Sequence, residues 1–307
     1  MSADLRSAAD DYLAGRRARG YQLADHDYLI NSFLDDLENR GITKVTVADA
    51  LAFARRPETG DRWHAARLRV LRGLAGYIHA LDPAAAELIP TGLIRAQITR
   101  RRPYLYSRAQ IGMLMDRSSK LSPSMLGATM HTLIGLLATT GMRSGEAFGL
   151  DIDHLDRDRH VLHVTGKYGK KRIVPLHLTT IEALANYERT RGERAQPSGP
   201  LFVGAKGGRL NANTARAVFR SVVDECGLRA QPGCGQPRLH DLRHTFAVDS
   251  LIDAQRSGAD VDARVATLAD YLGHVDPTCT YWYLTASAEL MGAVSDRVAD
   301  FQRKGRR

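Results

Sequence analysis

The spacing of apolar residues changes period once along this 307-residue chain, and that change limits the folds open to it. From residue 1 to about 80, and through most of the chain after residue 107, apolar positions recur every three to four residues. That is the mark of helices with one buried face. Alternation takes over only in HVLHVTG (160–166) and KRIVPLH (171–177), which flank the turn Lys167-Tyr168-Gly169-Lys170. Such a pattern specifies two antiparallel strands and a hairpin. The chain is therefore mainly α with a small antiparallel β-sheet, an α+β arrangement rather than an alternating βαβ one.

A chain this long exceeds what one hydrophobic core usually organises, so two domains are expected. Helical spacing in SAADDYLAGRRARG, HDYLINSFLDDLENRG and DRWHAARLRVLRGLAGYIHAL, with a short helix from Thr46 through Ala54, predicts a four-helix N-terminal module. Gly20 and Gly41 stand where helices stop, and Thr46 and Asp61 where they begin. Arg67, Arg69 and Arg72 on the last helix suit either a face turned to phosphates or an ordinary solvated face. The periodicity breaks between Pro83 and Pro103, and Arg100, Arg101 and Arg102 run into that second proline, which reads as a basic linker. The expected domains are 1–98 and 104–307, joined by 99–103. In the second, helices are predicted at 107–115, 123–139, 179–191, 213–226, 240–254, 262–272 and 286–303.

Forty-four per cent hydrophobic and 25% charged residues are ordinary for a globular protein, but the net charge of +9 favours a polyanionic partner. Cys226, Cys234 and Cys279 show no paired spacing, so neither a disulfide framework nor a cysteine zinc site is expected. The acidic residues near the N-terminus and the lack of a long apolar run predict no signal peptide and no membrane span. A cytoplasmic protein is the expectation.

Six residues carry the chemistry. Arg143 follows a Thr-Thr-Gly turn, and Glu146 one helical turn later can orient its guanidinium. Lys167 sits at the hairpin tip, beside Lys170, Lys171 and Arg172, where an ammonium can protonate a departing oxygen. His240, Arg243 and His244 in RLHDLRHTFA lie three and four residues apart, on one helix face. His274 follows Leu272-Gly273 at a helix end. Tyr283 follows nine residues later, with Tyr281 pointing to the opposite side of any helix that holds both, and one of the two can face a phosphate. A phosphodiester under in-line attack gains negative charge on its non-bridging oxygens, and fixed arginines stabilise that charge without a metal. The spacing of His240 and His244 also fits a zinc site. Asp241, however, stands where a metallohydrolase carries Glu, and Arg243 would repel a dication.

Taken in order, Arg…Lys…His-x-x-Arg…Leu-Gly-His…Tyr resembles the tyrosine recombinase (phage integrase) family over nearly the whole chain. The resemblance assigns the catalytic roles to Arg143, Lys167, His240, Arg243, His274 and Tyr283. It implies a helical, SAM-like core-binding domain that closes with the catalytic domain as a clamp around double-stranded DNA. It further implies a 3′-phosphotyrosyl intermediate, no cofactor, metal or ATP, and a homotetramer in the synaptic complex, with accessory recombination proteins as further partners. The chain starts directly with the core-binding module, so the resemblance is to simple Xer-like or transposon-borne members acting at the bacterial nucleoid. A type IB topoisomerase shares this chemistry, and an inactive DNA-binding regulator shares the charge. Integration, excision, dimer resolution and transposition are not separable at this level, nor is the target sequence.

Overall fold

The computed structural model describes residues 4–21, 23–56, 60–96, 102–166, 169–192, 198–273 and Tyr283. The chain divides into two compact units, Met1–Arg100 and Arg101–Arg307.

In the first unit, α1 (Leu5–Ala18), α2 (Ala24–Asn39), α3 (Val47–Arg55) and α4 (Asp61–Leu81) surround a core that includes Phe33, Leu37, Leu68, Leu71, Leu74 and Ile78. Thr46 caps α3 as its sequence predicts, its hydroxyl accepting from the Asp49 N–H at 3.1 Å. At α4 the cap is Gly60, and Asp61 is the first helical residue, where its charge complements the helix dipole. The arginines of α4 divide differently from either reading. Arg67 donates to Phe53 O and lies over the Phe53 ring, while Arg72 donates to Ile89 O and Pro90 O. Only Arg69 of the three is exposed. The non-periodic segment after α4 folds back here: Val45 pairs with Ala86, and Ala85, Ala86 and Ile89 join the core.

The second unit is built around α6 (Ser124–Thr140). Ten of its 17 residues are buried, over more than half of the helix surface, as expected of a central helix. Packed on it are α5 (Arg108–Ser119), α8 (Leu178–Arg191) and α10 (Asp241–Arg256). Ser107 and Gln110 form the capping box that starts α5. After α7 (Ser144–Phe148) come a single 3-10 turn and the sheet: β1 (Leu155–Asp156), β2 (Val161–Thr165) and β3 (Lys171–Pro175), antiparallel in that order. β2 and β3 pair from Val161 with Pro175 to Thr165 with Lys171. The α9 helix (Ala212–Glu225) and α11 (Val261–Leu272) complete the described elements, and α11 packs against α10. The helix predicted at 286–303 lies outside the described residues. Among those that are described, no helix is long and apolar enough to cross a membrane.

Candidate active site

Glycine at 141 makes the first corner of the site. It caps α6 at φ 59°, and a Cβ there would stand 2.3 Å from the Phe246 ring, so only a bare backbone fits. Two residues on, Arg143 is the N-cap of α7, as the Gly-closed turn predicts. Glu146 orients it twice, accepting from the Arg143 backbone N–H and from Nη1, both at 2.8 Å. The other arm, Nη2, donates to Gly273 O at 2.9 Å.

The second corner is the start of α10. His240 is the N-cap rather than a residue inside the helix, and its ring meets that of His244 edge-on at 5.0 Å between centroids. Arg243 turns inward and is buried. Its Nη1 donates to Gly141 O at 3.0 Å and its Nη2 to Leu272 O at 2.8 Å. Both arginines therefore reach the end of α11, which closes on Gly273 at φ 66°. Burial, then the neighbouring Arg143, lowers the Arg243 pKa to about 10, leaving it fully charged at neutral pH. His240 is an exposed residue. Desolvation of its ring, then the charges of Arg243, Arg238 and Arg143, pushes its pKa down to about 4, so it is a neutral base near pH 7.

Tyr283 is 2% exposed and belongs to the cluster of Ala247, Val248, Leu251 and Leu272. Its ring centroid lies 5.5 Å from that of His244. The structure thus brings Arg143, His240, Arg243 and Tyr283 together, but it buries the Tyr283 ring among apolar side chains, a place that the sequence suggests for Tyr281 or Trp282. Lys167, His274, Tyr281 and Trp282 lie outside the described residues.

Two contributors have roles here that the sequence did not assign to them. Arg172 clasps Glu146 with both arms, Nη1 to Oε1 at 2.9 Å and Nη2 to Oε2 at 2.8 Å. The signal was the alternation of β3, which turns Arg172 inward on the same face as buried Val174. Glu146 is buried, which by itself would raise its pKa, but the bonds from Arg172 and Arg143 outweigh that and hold it below the usual carboxylate range. Asp241, fully buried, accepts from the Arg238 backbone N–H and from Nη2, both at 2.9 Å. It is committed to Arg238 and does not stand in for a metallohydrolase base. Among the described residues, His240 and His244 gain no third ligand. The metal-type trio found there is Asp151, Asp153 and His154, in which Asp151 is paired with Arg209.

Residues 106–289 match the family model described as the phage integrase family. Similar along nearly their whole length are a putative integrase/recombinase, y4rB, of Sinorhizobium fredii (36% identity, 94% of each chain) and the tyrosine recombinase XerD of Mycobacterium tuberculosis (28%, 96% of each). Among solved structures, the fold is shared with the Tn1549 transposon integrase in complex with a circular intermediate DNA. That match has a TM-score of 0.63 at 18% identity, over 95% of this chain and 99% of that one. A lambda integrase tetramer bound to a Holliday junction matches with a TM-score of 0.60 at 19% identity, over 92% and 77%. Fold and relatives together define a DNA strand-cleaving and rejoining enzyme. The chain belongs to the phage integrase family, the tyrosine recombinases, and is a site-specific DNA recombinase.

Proposed function

We propose that Tyr283 is the nucleophile of this recombinase and that the site works on a scissile phosphate of double-stranded DNA. The observation that carries the reading is convergence: Arg143, His240, Arg243 and Tyr283 come from distant parts of the chain to the ends of α6, α10 and α11. The Tyr283 phenolic oxygen attacks phosphorus and the bond to the 5′-oxygen breaks, leaving a 3′-phosphotyrosyl link. Because the link retains the bond energy, rejoining needs no ATP. His240, neutral at pH 7, accepts the phenolic proton, and Lys167 gives one to the departing 5′-oxygen. Arg143 and Arg243 hold the non-bridging oxygens, with His274 adding a hydrogen bond. The arginines supply the charge neutralisation, so no metal is required.

The net charge of +9 supports a DNA partner. The fold shared with lambda integrase, a tetramer when bound to a Holliday junction, supports a homotetrameric synaptic complex here, and accessory recombination proteins would act on that assembly. The helical unit formed by residues 1–98 serves as the core-binding domain, with 104–307 as the catalytic domain. The fold shared with a transposon integrase in complex with a circular intermediate DNA supports action on a mobile DNA element; such DNA would be met at the cytoplasmic nucleoid.

The test is to map covalent protein–DNA junctions on genomic and element-end DNA, in EDTA. Adducts through Tyr283 at the 3′ side of a defined phosphate are expected. Adducts through another residue, or strict dependence on a divalent metal, would overturn the assignment.

A further inference from the structure

Three guanidiniums and one carboxylate meet at the ends of α7, β3 and α11. Glu146 is nearly out of solvent, with a side chain 5% exposed, and a carboxylate in such a place must be paired. It receives four hydrogen bonds, two from Arg143 and two from Arg172. Those four fill the acceptor sites of a carboxylate. The Arg172 pair is the parallel fork that arginine makes best. Arg172 and Arg143 also converge on Gly273, where an added Cβ would lie 3.7 Å from Arg172 Nη1 and 3.8 Å from Arg143 Nη1.

The balance of charge gives this fork its meaning. An Arg143–Glu146 pair alone would be neutral and a poor receptor for phosphate. With Arg172 and Arg243 included, the site holds an excess of two positive charges. A phosphodiester brings one negative charge and in-line attack adds another, so the excess matches the transition state. Arg143 remains the more open partner, its side chain 26% exposed against 15% for Arg172.

We propose that Arg172 is a positioning residue: by engaging Glu146 with both arms it leaves the charge of Arg143 available to a bound phosphate. The proposal rests on the phosphate-binding role given above to Arg143. Without Arg172 the buried carboxylate falls to Arg143 alone, which is drawn onto it and neutralised. An ordinary staple between β3 and α7 would look the same in a static structure but would respond differently to loss of Glu146.

The variants are Arg172→Met, Arg172→Lys, Glu146→Gln and Arg172→Met/Glu146→Gln, with two readouts. In the first, inorganic phosphate is added to the full-length DNA-free protein and the rise in Tm is measured. Arg172→Met should lose most of that rise, and the double variant should regain it. In the second, adduct formation is timed on a nicked duplex carrying a mapped cleavage site. Arg172→Met should slow it about tenfold or more, as expected for loss of a charge that steadies the transition state. The double variant should be faster than Arg172→Met, and Arg172→Lys, which keeps the charge without the fork, should fall between wild type and Arg172→Met. A structural staple predicts instead that the double variant is worse than either single one. That result, or an Arg172→Met protein that responds to phosphate and cleaves like wild type, overturns the proposal. If Arg172→Met does not fold, the double variant removes the stranded charge, and Arg172→Lys equal to wild type overturns it. A wild type that forms no adduct at Tyr283 would sink the recombinase site assignment, while the phosphate response would still decide the role of Arg172.

Discussion

Arg143 Nη2 donates to the carbonyl of Gly273 at 2.9 Å, across 130 residues of sequence. Arg243 makes the matching bond to Leu272 O, one residue earlier. Two guanidiniums therefore brace the turn at Leu272 and Gly273 that closes α11, and the end of α11 is held by the groups that are proposed to bind the phosphate. Disturbing either arginine should also disturb the placement of this turn, so the effects of mutating them should not be independent.

Tyr283→Phe should abolish the covalent adduct and leave DNA binding nearly intact, because only the nucleophilic oxygen is lost. Tyr281→Phe should stay active. Gel shift and denaturing electrophoresis on the same nicked duplex separate binding from adduct formation. A residual adduct in Tyr283→Phe would move the nucleophile elsewhere.

Arg143→Ala and Arg243→Ala should each slow cleavage by roughly a hundredfold or more, the scale seen when one fixed donor is removed from a transition state. Arg243→Ala should also lower Tm, since its guanidinium ties α10 to Gly141 and Leu272 in the interior. Arg143→Ala should destabilise less. Equal losses of stability would mean that Arg143 is as structural as Arg243.

His240 should titrate near pH 4 in the DNA-free protein, against an ordinary value of 6.5. An imidazole with a depressed folded pKa takes up a proton on unfolding. Its contribution to stability is therefore unaffected above about pH 6.5 and turns increasingly unfavourable as the pH falls toward 4. Between those limits the Tm of wild type should fall more steeply than that of His240→Gln. Parallel Tm curves, or an NMR titration centred near 6.5, would contradict the neutral-base role.

Gly141→Ala should cost about 1–3 kcal/mol of stability, because the left-handed backbone and the Phe246 ring both oppose a side chain. Gly141 O also receives Arg243 Nη1, so cleavage should fall with it. Denaturant melts and adduct rates test the two effects. Phe246→Ala in the same protein should recover part of the stability.

Lys167→Ala should slow cleavage of a normal phosphodiester far more than of one with a 5′-thio leaving group, since a thiolate departs without a proton. Equal slowing of both would reduce Lys167 to a phosphate contact and shift attention to Lys170 and Lys171.

The periodic parts of this protein were legible in its sequence. Apolar spacing determined α1 to α4, and it determined α6 and the β2–β3 hairpin, because burial on one face repeats at a fixed interval. The turn at Gly141 and the Glu146 contact to Arg143 were legible too, being local. What the sequence left open was every relationship that depends on direction in space. It could not say that Arg67 and Arg72 spend their donors on backbone carbonyls, that Tyr283 is buried against His244, or that Arg172 shares Glu146 with Arg143. A side chain's charge is written in its residue type, but the partner that receives it is fixed only when separate elements pack. Three of the contacts that shape this site join residues more than 100 positions apart or lie between different elements, and tertiary structure alone brings them within 3 Å.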